Sequence, residues 1–125
     1  MFSAKRALGS GMAVLGILAG SAATAPTASA AVGDWHCDTR DNGQLCIQAK
    51  TNGYKVWYTN QSGSVKNLDF NLGCNTGTYG DEGSFQSNPG WTNSYLFEVG
   101  RKQWCLPAMY DFGTKKWYYG SVAVS

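Results

Sequence analysis

Four cysteines, one histidine and a few carboxylates are the residues from which any reactivity of this chain would have to come. Cys37, Cys46, Cys74 and Cys105 form an even set without the paired C-x-x-C spacing of a zinc site, so they read as two disulfides rather than as metal ligands. His36 has no nucleophile or acid placed by spacing to work with it, which makes it an ordinary surface imidazole beside Cys37. Asp81 and Glu82 are adjacent. A calcium ion takes roughly six to eight oxygens, so that pair is read as a solvated acidic turn. Asp111-Phe112-Gly113 spells the kinase DFG motif with every other kinase element missing. No nucleophile motif, convincing carboxylate pair or phosphate loop occurs, so the expectation is a non-enzyme with no catalytic residues, no cofactor and no metal.

The N-terminal stretch says where the chain goes. Lys5 and Arg6 precede an apolar run, Met12 to Gly20, too short to span a bilayer, and Ala28-Ser29-Ala30 has the form of a cleavage site. Residues 1–30 are therefore expected to be a secretory signal peptide and 31–125 a single disulfide-bonded domain, secreted and extracellular, with no membrane anchor. Without Lys5 and Arg6, eight basic residues balance eight acidic ones, so binding to nucleic acid loses its electrostatic basis. The remaining 95 residues carry five Trp, seven Tyr and, Phe2 aside, four Phe. Aromatics at that density suit β cores and recognition surfaces alike.

The elements that must position these residues are strands. From Gly43 to Cys74 three alternating runs are separated by turns. Asn52-Gly53 has the form of a type I′ hairpin turn, which sets Ala49 opposite Val56 and Ile47 opposite Tyr58. A three-residue loop, Gln61 to Gly63, then pairs Val56 with Leu68 and Tyr54 with Phe70. Leu45, Ile47, Ala49, Tyr54, Val56, Tyr58, Leu68, Phe70, Leu72 and Cys74 share the core face, while Asn67, Asp69 and Asn71 face solvent. Trp57 lies on the opposite face beside Lys55, Gln48 and Cys46, either packed under the N-terminal hairpin and its disulfide or exposed as an anchor. A turn centred on Arg40 to Gly43 would bring Cys37 opposite Cys46 and leave Cys74 with Cys105. The count alone permits three connectivities.

Asn75 to Ser94 is rich in Gly, Asn, Ser and Thr and long for a connection, with Phe85-Gln86-Ser87 able to add a short strand. Tyr79, Phe85 and Trp91 in it have the make-up of recognition-loop anchors, or else cap an open end of the core. Trp35, on a short arm before the first cysteine, is a further docking candidate. Tyr95 to Val99 is a strand with Tyr95, Phe97 and Val99 on one face. Trp104 to Tyr110 is a strand that Pro107 should confine to an edge or a bulge. Trp117, Tyr118 and Tyr119 are consecutive, so at least one ring leaves the core. The fold class is all-β: a small antiparallel β-sandwich of meander or Greek-key type with two disulfides.

Three functions remain in contention: a secreted protein-binding module, a small inhibitor or antimicrobial effector, and a carbohydrate-binding module. The run G-x-L-C-I, then N-G-Y-x-V-x-Y-x-N-x-S-G-S, L-D-F-x-L-x-C and S-Y-x-F-x-V-G, over about Gly43 to Gly100, resembles small secreted two-disulfide β-domain proteins of actinomycetes. Some proteins of that size and type are the adaptor subunit of umbrella toxin particles, joining a lectin-like subunit to a large toxin-bearing one. The resemblance implies a scaffold adaptor without an active site, partnered by another secreted protein. It carries over no site residues, so the contact candidates remain Trp35, Trp57, Tyr79, Phe85 and Trp91.

Overall fold

The computed structural model describes residues 33–124. The expected signal peptide, residues 1–30, lies outside the described residues. Ten strands follow in order: β1 Trp35–Arg40, β2 Gly43–Lys50, β3 Gly53–Asn60, β4 Lys66–Cys74, β5 Gly77–Gly80, β6 Phe85–Ser87, β7 Thr92–Phe97, β8 Trp104–Asp111, β9 Lys116–Tyr119 and β10 Ala123–Val124. They form two antiparallel sheets. One runs β1-β2-β3-β7; the other runs β9-β8-β4-β5, with β6 also on β4 and β10 also on β8. No helix occurs among the described residues.

The alternation in the sequence determines which side chains meet between the sheets. Leu45, Ile47 and Ala49 of β2, with Tyr54, Val56 and Tyr58 of β3, are fully buried from one side. Leu68, Phe70 and Leu72 of β4 and Met109 of β8 are fully buried from the other, with Phe97 and Ala123 beside them. The two buried tyrosines place their hydroxyls at opposite ends of this core. Tyr54 donates to the Lys102 carbonyl at 2.9 Å and Tyr58 to the Asp41 carbonyl at 2.6 Å, so neither polar tip is stranded.

Strand pairing departs from the sequence expectation in three places. First, the β2–β3 turn is Thr51-Asn52, with Lys50 opposite Gly53, Ala49 opposite Tyr54 and Ile47 opposite Val56. The register is displaced by an even step, so every side chain keeps its face. The physical reason is Gly53: a Cβ there would collide with the carbonyl oxygen of Phe97, so the glycine is needed in the strand and not in the turn. Gly43 repeats the pattern, since a Cβ on it would collide with the Thr59 carbonyl and the Tyr58 ring. The type I′ geometry is found instead at Asp41-Asn42, whose φ values are 52° and 57°.

Second, β4 does not pair with β3. Its partners are β5, β6 and β8, whereas β3 lies between β2 and β7. The chain crosses between sheets after Asn60, which is fully buried and fully bonded. Its Nδ2 donates to the carbonyls of Ser64 (2.8 Å) and Ser87 (3.0 Å), and its Oδ1 accepts from the Ser62 N–H (2.9 Å) and hydroxyl (2.7 Å). Leu68, Phe70, Leu72 and Cys74 are core residues as expected, but they meet Val56 and Tyr54 across the sandwich rather than along a ladder.

Third, Pro107 sits in a central strand, with β4 on one side and β9 and β10 on the other. The ladder on the second side is broken between Tyr119 and Ala123. Gly120 N–H donates to the Pro107 carbonyl at 3.0 Å, so the proline's missing N–H faces this break. A Cβ on Gly120 would lie 2.7 Å from the proline ring.

The disulfides join Cys37 with Cys46 and Cys74 with Cys105, each between directly opposed residues of neighbouring strands. Asn75 to Ser94 is not a structureless loop: β5 and β6 pair with opposite halves of the nine-residue β4, and β7 begins at Thr92.

Candidate functional site

Residues that alternate away from the core build two outer faces, and each gathers aromatics. On the four-stranded sheet, Ile47 and Val56 point inward, so Cys46, Trp57 and, across β1, Trp35 and Cys37 point outward. Trp35 is 53% exposed, with its ring 6.4 Å from that of Trp57. Trp57 is half-buried against the disulfide side of the sheet, and Lys55 Nζ lies 5.5 Å from its ring centroid, within cation–π range. Leu96, opposite Lys55 on β7, extends this surface.

The six-stranded sheet carries a larger cluster. Trp117 of β9 lies opposite Tyr110 of β8, with ring centroids 5.1 Å apart. Phe112 meets Tyr110 edge-on at 5.0 Å, and Tyr119 stacks on Trp117 at 6.4 Å with an interplanar angle of 19°. Phe112, Trp117 and Tyr119 are all about half exposed. Contacts among rings order these side chains in solvent, lowering the entropy they would lose on meeting a partner.

Beside this cluster, Asp69 lies opposite Tyr110 on β4, and Asp81 leans against it. Burial, reinforced by the Asp69 carboxylate, raises Asp81 to about 6, although its Oδ1 accepts the Gly83 N–H at 2.9 Å. Asp69 Oδ1 is buried without a hydrogen-bond partner, and the neighbouring Asp81 carboxyl could donate to Asp69 only in its protonated form.

The sequence candidates are divided by the structure. Trp35 and Trp57 are brought together. Tyr79 and Phe85 are set against opposite halves of β4, opposite Leu72 and Leu68, and both pack half-buried on the core. Phe85 lies 4.6 Å from Phe70, and Lys102 Nζ lies 5.3 Å from the Tyr79 ring. Trp91 is 51% exposed in the turn before β7, its main chain bonded to Asn60 and Asn88. His36 Nε2 meets the Asp34 carboxylate at 3.2 Å on the exposed edge strand β1. Among the described residues no group of three or more His, Cys, Asp or Glu side chains is arranged to hold a metal.

Sequence reasoning saw that one ring of Trp117 to Tyr119 must leave the core but did not gather the cluster around it. The signal was present. Tyr110 and Phe112 at the start of the hairpin turn, and Trp117 and Tyr119 after it, have the same parity once the hairpin is closed.

No protein-family model, curated protein or solved structure matches this chain. The functional reading therefore rests on the two faces.

Proposed function

We propose that this is a secreted, non-catalytic protein-binding module of the adaptor kind, holding one partner on each outer face. The observation that carries the reading is the pair of solvent-facing aromatic clusters on opposite sides of one sandwich, Trp35 with Trp57 and Tyr110 with Phe112, Trp117 and Tyr119. Trp and Tyr dominate the energetically decisive centres of protein interfaces. Two disulfides in a small β domain suit an extracellular setting. The resemblance to the adaptor of umbrella toxin particles agrees with two separate contacts on one small domain.

The test is capture of partners from the producing culture's supernatant with tagged mature protein and with two variants. The native chain should retain two proteins. Trp117→Ala with Tyr119→Ala should lose one, and Trp35→Ala should lose the other. Loss of both partners with either variant would remove the two-face reading. A second reading, glycan binding, is favoured by the stacked, exposed Trp117 and Tyr119 beside Asp69 and Asn71. A glycan array read with the native chain and the Trp117→Ala variant separates it from the first.

A further inference from the structure

One charged group of the core serves neither face. Lys66 has the same parity along β4 as Leu68 and Phe70, so it points inward at the strand's first residue. Its Nζ lies 3.3 Å from Asp41 Oδ1 and 3.6 Å from Asp111 Oδ2. The side chains are 11%, 3% and 4% exposed respectively. Asp41 Oδ2 is buried and accepts no hydrogen bond, although Lys66 is beside it. The Tyr58 hydroxyl holds the Asp41 carbonyl, fixing the turn that carries this carboxyl group. An ammonium, a carboxyl group and a second carboxylate are thus confined, almost wholly buried, at one end of the sandwich.

The two carboxyl groups are not equivalent. Burial, together with the neighbouring Asp111, raises Asp41 to about 6 against the pull of Lys66. Burial would raise Asp111 as well, but the hydrogen bonds from Asp41 and from the Gly113 and Thr114 N–H groups, together with Lys66, hold it below the usual carboxylate range. The Gly113 N–H to Asp111 Oδ1 distance is 2.7 Å. Of the two, Asp41 is the carboxyl that takes up a proton more readily and Asp111 the one that stays charged.

We propose that Lys66 and Asp41 become joined by an intramolecular amide bond, formed in the folded chain with Asp111 as the proton acceptor. Asp111 takes a proton from the Lys66 ammonium, and the neutral amine attacks Cγ of the protonated Asp41 carboxyl. Collapse of the tetrahedral adduct breaks the C–OH bond and releases one water. One C–N bond is formed, the ammonium loses two protons in all, and Asp111 ends protonated. No oxidant or cofactor takes part. The step removes two opposite charges from a buried site where their desolvation is costly, and proximity within a rigid core supplies the rate.

The position gives the bond a structural purpose. Both disulfides lie within single sheets, Cys37–Cys46 in the four-stranded and Cys74–Cys105 in the six-stranded one. Asp41 belongs to the β1–β2 turn and Lys66 to β4, so their amide would be a covalent staple between the sheets.

The test is the intact mass of the native mature chain, followed by tryptic mapping after reduction. The expected result is a mass lower by one water than the chain with two disulfides, and a branched peptide joining residues 41–50 to the segment containing Lys66. Lys66→Met and Asp111→Asn should both restore the full mass, while native protein alone decides the matter if either variant fails to fold. A native chain at full mass overturns the proposal. So does loss of water without a branched peptide, which would mark a succinimide at Asp41-Asn42.

Discussion

The two disulfides look alike in the sequence and occupy opposite environments in the fold. Cys74–Cys105 lies on the inner face of the six-stranded sheet, with Cys105 fully buried in the core cluster. Cys37–Cys46 lies on the outer face of the four-stranded sheet, with Cys37 exposed and Cys46 beneath it and beside Trp57. The first closes a sequence separation of 31 residues and the second one of 9. One bridge is therefore a piece of the core, and the other is part of a surface. Covalent chemistry is the same in both; the parity of the strand residue decides which side of the sheet receives it.

This comparison can be broken by experiment. Replacing Cys74 and Cys105 by Ala should cost about 3–4 kcal/mol in chain entropy alone, with a further loss from the sulfurs' core contacts. Denaturant melts should show this as the largest loss of stability among these substitutions. Replacing Cys37 and Cys46 should cost about 2–3 kcal/mol on the same model and change the tryptophan emission, since Trp57 loses the bridge beside it. A difference no larger than the roughly 1 kcal/mol that loop length alone sets would mean that environment adds nothing to it.

The outer faces sharpen the contrast further. Asp81 is raised to about 6 in the folded chain, above its value of 3.8 when unfolded. A carboxyl whose folded pKa is raised stabilises the fold below the unfolded value, and that contribution is lost as pH rises through about 6. Asp81→Asn should therefore raise the melting temperature above pH 6 and converge with the native chain toward pH 4. A constant offset at every pH would show that the carboxyl's titration is not involved. The smallest effects are expected from Trp35→Ala and Trp117→Ala, each within about 1 kcal/mol of the native chain. A larger loss from either, read in the same melts, would turn that ring from a contact residue into a part of the scaffold.

The faces of the strands were legible in the sequence because side-chain direction has a period of two. Leu45, Ile47, Tyr54, Val56, Leu68, Phe70 and Phe97 are buried as their alternation required. The hydrogen-bond partners were not legible. Alternation cannot tell a strand paired alongside from one packed across the core, since both place Val56 and Leu68 on the same side. Asn52-Gly53 misdirects for a related reason. A glycine after Asn signals a left-handed turn, yet here the glycine makes room for a main chain that arrives from far along the sequence.

The candidate sites divide along the same line. Trp57 on the face of Cys46 followed from parity across one local hairpin, and the surplus of rings in Trp117 to Tyr119 from parity along one strand. Joining Trp117 to Tyr110 and Phe112 required the β8–β9 register, and setting Tyr79 and Phe85 on the core required the two short strands on β4.

By itself, the sequence determined the strand faces, a tight turn able to set Cys37 opposite Cys46, and the all-β class, all of which depend on neighbours close along the chain. Only the tertiary structure decided that β3 and β4 belong to different sheets, that Pro107 lies beside a gap in a central strand, and that Lys66 meets Asp41 and Asp111 in the interior. Those are encounters between distant segments, and they depend on how two twisted sheets close over one core.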